Sequence, residues 1–257
     1  MLARVDDDVL ATVETYYDSV PRAHTTTEEV GPFTSFVGPP GGWPYYARPR
    51  LGLTAHVTAA EVDAVRERRR SRGLGEDLEW VHETTPSLLA AARASGLTVE
   101  ECPLLVLDPS RLPSRSSSAA VKVLGPDDDL DSVVGAVGAA FGETDEVVLR
   151  PTERQRSAIR AGLLAMVGAY DERGAVVGGG SHSPRRTTTE LMGIGVLPRA
   201  RRRGVDAALT HALVDDARAR GVTTIFLSAQ DDAVARVYER VGFVRVGTAC
   251  IAEAPAP

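Results

Sequence analysis

A pattern of helix, glycine and strand occurs twice in this chain, and it limits the folds that the chain can adopt. The charged segment VDAVRERRRSRG, which ends at Gly73, resembles LVDDARARG, which ends at Gly221. In each copy a predicted strand, a second helix with a polar start and a closing strand follow. Gly73 and Gly221 are 148 residues apart, and Gly96 and Gly242 are 146 apart. The pattern predicts a duplicated unit, although helix–glycine–strand is also a common local arrangement.

The segment LPSRSSS, residues 112–118, has the proline and serine content of a linker. Beyond it, apolar strand-like segments alternate with amphipathic helical segments. Three apolar segments between residues 165 and 196 are separated only by turn residues, which favours an antiparallel meander. A chain of 257 residues has room for two domains of ordinary size. The sequence therefore predicts two domains, residues 1–117 and 118–257.

The predicted fold class is α+β, with helices on the faces of a mixed, mostly antiparallel sheet, so that each domain has three layers. Apolar residues make up 43% of the chain, which is enough for a core in each domain. Residues 203–220 show the helical pattern clearly, because Val205, Leu209 and Leu213 share one face and charged residues lie opposite.

The basic residues exclude several classes of enzyme. Lys122 is the only lysine, and it lies in the segment AAVKVLG. A P-loop, a protein kinase and a pyridoxal enzyme each need a lysine in surroundings that Lys122 lacks. The net charge of −6 argues against a nucleic-acid partner, and we expect none.

The cysteines and histidines are too scattered for a disulfide framework or a metal site. Cys102 and Cys250 are far apart in the sequence, and two buried or idle thiols in a reducing compartment account for them. We therefore expect a cytoplasmic protein without a metal ion. His182 ends a predicted strand and could reach a substrate, but we expect a surface histidine there.

No stretch approaches the roughly 18 uninterrupted apolar residues of a membrane helix. The amino-terminal segment is too acidic for a signal peptide. We therefore expect no membrane partner. The sequence does not indicate an oligomeric state.

The segment VLPRARRRGVDAAL, residues 196–209, carries the strongest indication of chemistry. A predicted strand ends at Val196 and passes through an arginine-rich turn directly into a helix. Gly204 lets a ligand approach the backbone, and the unpaired N–H groups of the first helical turn form a site for a phosphate. A solvated basic cap is the alternative on these residues alone. We interpret the glycines at 178–180 as a sheet bulge and not as a second phosphate loop.

Two spaced motifs resemble those of the GNAT superfamily of N-acetyltransferases. Its acetyl-CoA signature is a strand Val-x-Pro followed by Gln/Arg-x-x-Gly-x-Gly/Ala at a helix start, and the matching residues here are Val196, Pro198, Arg201, Gly204 and Asp206. Its downstream signature, a helix that ends in Tyr-x-x-x-Gly-Phe, is matched by Tyr238, Gly242 and Phe243. The resemblance covers residues 118–257. Asp206 departs from the pattern, which has glycine or alanine at that position.

The resemblance implies that acetyl-CoA is the co-substrate. Its pantetheine arm would pair with the strand backbone from Gly193 to Val196, and its pyrophosphate would lie on the amides of residues 202–207. One backbone N–H of the strand would polarise the thioester carbonyl. The expected acetyl-CoA-binding residues are Ile194, Gly195, Val196, Arg201, Arg202, Arg203, Gly204, Val205, Asp206, Ala207 and Asp231.

The resemblance also implies the catalytic groups. Tyr238 has the family's general-acid position, and a phenol with a pKa of about 10 can donate its proton to the departing sulfur. A ring that anchors the helix to the sheet is the alternative role. Glu190, eleven residues before Arg201, has a spacing similar to that of the glutamate base in histone-acetylating members. Burial would raise its pKa and suit it to that role, and an exposed strand-end glutamate is the alternative.

The first copy of the repeat lacks these features. No glycine motif precedes its helix, and Ala92 occupies the position of Tyr238. The resemblance therefore implies a tandem protein in which a degenerate GNAT-like domain, residues 1–117, covers the acceptor side of an active domain. The aromatic segment 38–49 is either a flap over the amine site or an irregular loop packed by Trp43.

Together these features predict an N-acetyltransferase that moves an acetyl group from acetyl-CoA to a primary amine of a small molecule or peptide by direct attack. The alternative is an acyl-CoA-binding GNAT-like protein without turnover. Tyr238 favours the enzyme, and Asp206 favours the alternative.

Overall fold

The computed structural model describes residues 7–39, 44–112 and 120–255. Two compact units are present, and each is built from separate stretches of the sequence. The first unit comprises Met1–Leu105, Ser228–Ala235 and Arg245–Pro257, and the second comprises Val106–Leu227 and Arg236–Val244. The expected linker at 112–118 and Trp43 lie outside the described residues, except for Leu112.

The elements of the first half of the chain are α1 (Asp7–Arg22), β1 (Thr26–Val30), β2 (Phe33–Val37), β3 (Ala47–Pro49), α2 (Ala59–Arg70), β4 (Leu78–Val81), α3 (Ser87–Ala94) and β5 (Thr98–Leu107). The elements of the second half are β6 (Ala120–Leu124), α4 (Leu130–Phe141), α5 (Glu153–Arg160), β7 (Ala165–Tyr170), β8 (Val176–His182), β9 (Thr188–Val196), α6 (Val205–Ala219), β10 (Thr224–Ser228), α7 (Asp232–Glu239) and β11 (Phe243–Glu253). Alternating helices and strands confirm the α+β class.

The sheet of the first unit combines strands from both ends of the chain. Strands β1, β2 and β3 are antiparallel neighbours, and β3 runs parallel to β4 with Ala47 opposite Leu78. On its other edge, β4 pairs antiparallel with β11, where Cys250 lies opposite Trp80. Helices α2 and α3 cover a core that includes Trp80. The last strand of the chain therefore completes the sheet of the first unit.

In the second unit, β6, β7, β8 and β9 form an antiparallel meander in chain order. This confirms the expectation for the three apolar segments between residues 165 and 196. Strand β10 then pairs parallel to β9. Residues Leu130 and Val133 of α4 pack against Met166 of β7, so that helix α4 covers one face of the meander.

The three glycines of β8 leave room for helices on both faces of the meander and for the backbone of β9 beside it. A Cβ atom added to Gly179 would lie 2.5 Å from Val133 Cγ1 of α4, and one added to Gly180 would lie 3.1 Å from Leu213 Cδ1 of α6. A Cβ added to Gly178 would lie 2.5 Å from the carbonyl oxygen of Gly195. The β8–β9 register shifts between Gly179 and Ser181, which confirms the predicted bulge.

Candidate active site

The amino-terminal end of helix α6 is open to a ligand. Gly204 is its N-cap residue, with a left-handed φ of 73°, and no side chain caps the helix. The first helical bond shown runs from the Ala208 N–H to the Gly204 carbonyl at 3.0 Å. The N–H groups of residues 205–207 precede that bond, so they point out of the helix end. With the helix dipole, these donors favour an anion such as a phosphate.

Strands β9 and β10 diverge just before this helix end. Their ladder consists of three pairs, and the last of them joins Glu190 to Phe226. Strand β9 continues for six more residues, through Gly193, whose φ of 57° turns the backbone at the β-bulge. On its other side β9 remains paired to β8 as far as Val196. In the part of the chain that the structure describes, no strand pairs with this edge of β9 after Glu190, so the edge is available to an added extended chain.

The predicted acetyl-CoA-binding residues divide by exposure. Gly195, Val196 and Val205 are buried, and Ile194, Gly204, Asp206 and Ala207 are half-buried. The side chains of the arginines at 201–203 are exposed. Arg202 has a left-handed φ of 59° within the same turn, which directs successive backbone N–H groups to one side.

Arg201 directs its donors into the protein. Its Nε donates to the Val196 carbonyl at 3.0 Å, and its Nη2 donates to the Ala140 carbonyl at 2.9 Å. The guanidinium also holds the Glu143 carboxylate through two hydrogen bonds of 2.7 and 3.0 Å. These contacts join the turn before α6 to the end of β9 and to the end of α4.

Tyr238 lies on α7 as a half-buried side chain. Its ring meets Phe243 edge to face, with ring centroids 6.0 Å apart. Burial, together with the charge of Asp206 in the first turn of α6, raises the pKa of Tyr238 to about 12. The phenol therefore stays protonated at neutral pH, as a general acid must. The structure thus gives Tyr238 both the packing contact and the protonation state that the sequence suggests.

Glu190 occupies the last rung of the ladder between β9 and β10, and its side chain is half-buried. Asp231, unlike the other predicted acetyl-CoA-binding residues, belongs to the first unit. It caps α7 by accepting the Val234 N–H at 2.8 Å.

The expectation of a surface position for His182 is wrong. Its side chain is fully buried, with Nδ1 3.1 Å from Thr189 Oγ1 and Nε2 2.9 Å from Asp216 Oδ2. Because the carboxylate only accepts, Nε2 carries a hydrogen, and in the neutral ring Nδ1 then accepts from the threonine hydroxyl. Burial lowers the pKa of His182 despite the nearby Asp216 carboxylate. The three side chains link β8, β9 and α6 beside Glu190.

The sequence profile of the acetyltransferase (GNAT) family matches residues 130–243. This segment contains strands β7, β8 and β9 of the meander, the open helix end and Tyr238. Residues 130–243 belong to the GNAT family. This family assignment indicates N-acyltransferase activity, with acyl-CoA as the acyl donor.

Solved GNAT structures share the fold of the chain. A GCN5-related N-acetyltransferase from Kribbella flavida is similar with a TM-score of 0.74 and 21% identity, over 96% of each chain. A GCN5-related N-acetyltransferase from Sphaerobacter thermophilus has a TM-score of 0.62 and 15% identity, over 94% of this chain and 84% of that one. A tandem GNAT protein from the clavulanic acid biosynthesis pathway has a TM-score of 0.52 and 17% identity, over 88% of this chain and 79% of that one. A search of the curated proteins finds no significant match.

Within the first unit, the helix end and the strand edge that would correspond to those of the GNAT segment are both occupied. Helix α2 begins with a capping box, in which Thr58 and Glu61 bond each other's backbone N–H groups. The Glu61 carboxylate therefore occupies the amino-terminal end of α2, whereas the corresponding end of α6 has no side-chain cap. At the edge of β4, Glu14 of α1 accepts the Val81 N–H at 3.1 Å. Ala92 is fully buried in the core.

Part of the aromatic segment 38–49 is regular structure, because residues 47–49 form β3. Arg48 is buried in that strand, and its guanidinium stacks on Tyr17 at 4.6 Å. Among the described residues no group of three or more histidine, cysteine or acidic side chains could hold a metal ion. No helix in the same ranges has the length and apolar content to cross a membrane.

Proposed function

We propose that the chain is an N-acetyltransferase that uses acetyl-CoA and acetylates a primary amine of a small molecule or peptide by direct attack. The observation that carries this proposal is the open end of α6, which lies directly after the unpaired edge of β9. A helix end without a cap and an extended free edge suit the two parts of CoA, which are a pyrophosphate and a linear amide chain.

The pyrophosphate would accept hydrogen bonds from the first-turn amides of α6. Gly204 supports this, because a left-handed residue without a Cβ lets the ligand approach the backbone. The exposed arginines at 202 and 203 add mobile positive charge around the same turn. Backbone donors of this kind explain why the site needs few specific side chains.

The pantetheine arm would add to the free edge of β9 and bring the thioester to the bulge at Gly193. At that bulge a backbone N–H turned out of the ladder would polarise the thioester carbonyl and stabilise the oxyanion that forms during attack.

Two side chains would move the protons. Glu190, at the divergence of β9 and β10, would accept a proton from the attacking ammonium group, so that the neutral amine can attack. Tyr238 would donate its hydroxyl proton to the thiolate as the C–S bond breaks, and the nitrogen of the tetrahedral intermediate would return a proton to the phenolate. Its raised pKa keeps this proton available throughout the neutral range.

The second candidate function is acyl-CoA binding without turnover, and Asp206 is the observation that favours it. Its carboxylate lies in the first turn of α6, where the phosphates would bind, and like charges there oppose binding. A cytoplasmic location and a non-catalytic first half that covers the acceptor both stay predictions from the sequence.

Calorimetric titration with acetyl-CoA tests the donor, and we expect one equivalent per chain. The capped end of α2 and the occupied edge of β4 are the reasons for expecting no second equivalent. A panel of primary amines, followed by the release of free CoA thiol, then tests the transfer. Binding without thiol release from any amine would favour the second candidate, and no binding would contradict both.

A further inference from the structure

Arg201 stands first in the turn that leads to the open end of α6, yet its guanidinium does not extend toward that end. Its donors go to the Val196 carbonyl, the Ala140 carbonyl and the Glu143 carboxylate. An arginine has five N–H donors in a fixed fork, and four hydrogen bonds of this one lie within the protein. The guanidinium is therefore committed before any phosphate arrives.

Glu143 has an unusual backbone conformation at the point where it contacts Arg201. It follows the end of α4 with a left-handed φ of 53°, which is uncommon for a residue with a side chain. The hydrogen bonds from Arg201 lower the pKa of its carboxyl group, so the pair stays ionised at neutral pH. A second hydrogen bond connects the same two segments, because Asp145 accepts the backbone N–H of Arg199 at 3.1 Å.

These contacts fix three pieces of the site relative to one another. Val196 is the last residue of β9, and Ala140 lies in the last turn of α4. Arg201 joins both to the turn that ends at Gly204, where α6 begins. The direction of the first-turn amides depends on the conformation of this turn.

We infer that Arg201 is a positioning residue, and that Glu143 acts through it to hold the turn before α6 in its phosphate-binding conformation. This inference rests on the proposed function. It assigns a role in co-substrate binding to an acidic residue, which simple electrostatics would count as unfavourable to phosphates.

The two possible roles of Glu143 predict opposite changes in acetyl-CoA affinity when its charge is removed. If Glu143 acted only through its charge, its neutralisation would strengthen the binding of a polyanion. If Glu143 holds Arg201 in place, its neutralisation releases the turn and weakens binding. The two effects move the acetyl-CoA affinity in opposite directions.

The experiment is calorimetric titration of the full chain with acetyl-CoA. We expect Glu143→Gln to weaken binding about two- to fivefold, as for the loss of an exposed ion pair. We expect Arg201→Gln to weaken it about tenfold, since bonds to two backbone carbonyls are lost as well. The double variant should bind no more weakly than Arg201→Gln alone, because the two residues act as one unit.

Two variants serve as controls. Glu146 is an exposed acid in the same segment, and Glu146→Gln removes the same charge, so it should leave the affinity unchanged or slightly higher. Arg201→Lys keeps the charge but cannot reach three acceptors at once, so it should bind acetyl-CoA as weakly as Arg201→Gln. Thermal melting of each variant establishes that it is folded.

Tighter or unchanged binding by Glu143→Gln, or wild-type binding by Arg201→Lys, would overturn the inference. Additive losses in the double variant would overturn it as well. Failure of the proposed function is a separate result, because it shows in the unmodified chain as absence of acetyl-CoA binding or as binding without thiol release from any amine.

Discussion

His182 Nε2 donates a hydrogen bond of 2.9 Å to the Asp216 carboxylate inside the second unit. Burial lowers the pKa of His182, so the unfolded chain takes up its proton at a higher pH than the folded chain does. The stabilisation by neutral His182 is thus complete above about pH 6.5 and is lost as the pH falls through the lowered pKa.

We therefore expect the melting temperature to fall as the pH is lowered from 8 to 5. In His182→Gln this pH dependence should be smaller, because glutamine can bond both neighbours without taking up a proton. Thermal melting across the pH range measures both, and His24→Gln, at an exposed histidine, is the matched control. An identical pH dependence in His182→Gln and the unmodified chain would contradict this account.

For Tyr238→Phe we expect an unchanged acetyl-CoA affinity and a turnover lower by about 10²–10⁴-fold, since only the proton donor is lost. In the unmodified enzyme kcat should show no loss from tyrosine ionisation up to pH 10, because the pKa of Tyr238 is about 12. Steady-state kinetics with a reactive amine test both. Full activity in the variant would leave Tyr238 with the Phe243 contact as its function.

For Glu190→Gln we expect the rate to fall most at neutral pH and least at strongly alkaline pH. The amine loses its proton unaided in the alkaline range, so a general base matters less there. The measurement is the pH profile of kcat/KM, with Glu172→Gln as a control at an exposed turn residue. If the profile keeps its shape, Glu190 has no part in proton transfer.

For Asp206→Gly we expect acetyl-CoA to bind several-fold more tightly, because a negative charge leaves the phosphate site. The apo protein should be slightly less stable, by about 0.3–1 kcal/mol, since an acidic residue in a first helical turn interacts well with the dipole. Calorimetry and thermal melting give the two values. Weaker binding would mean that Asp206 helps to position a group that contacts the phosphates.

The local patterns of the second half could be predicted because they repeat over short distances. The alternation of apolar and turn residues in 165–196 matches three strands, and Gly204 lies directly before α6, where the sequence predicts a helix start. Both follow from a few neighbouring residues. The bulge among the glycines at 178–180 is of the same kind.

The contacts between distant residues could not be predicted in this way. His182 meets Asp216 34 positions later, and Arg201 meets Glu143 58 positions earlier. No spacing rule relates such pairs, because the fold of the sheet brings them together. The sequence of the arginine-rich turn therefore suggests three phosphate ligands, at 201–203, although the donors of Arg201 bond within the protein.

The pairing of β11 with β4 has a consequence for how the chain is made. Residues 249–252 enter the sheet beside residues 78–81, so the first unit lacks an inner strand until these residues have been synthesised. A nascent first half therefore has an exposed strand edge while the second half is being synthesised, and such an edge readily pairs with other chains. We expect a product truncated after residue 242 to aggregate, and ribosome-bound chains of increasing length to resist proteolysis in the first half only after β11 has emerged. Early protease resistance would show that β4 is stable without its last neighbour.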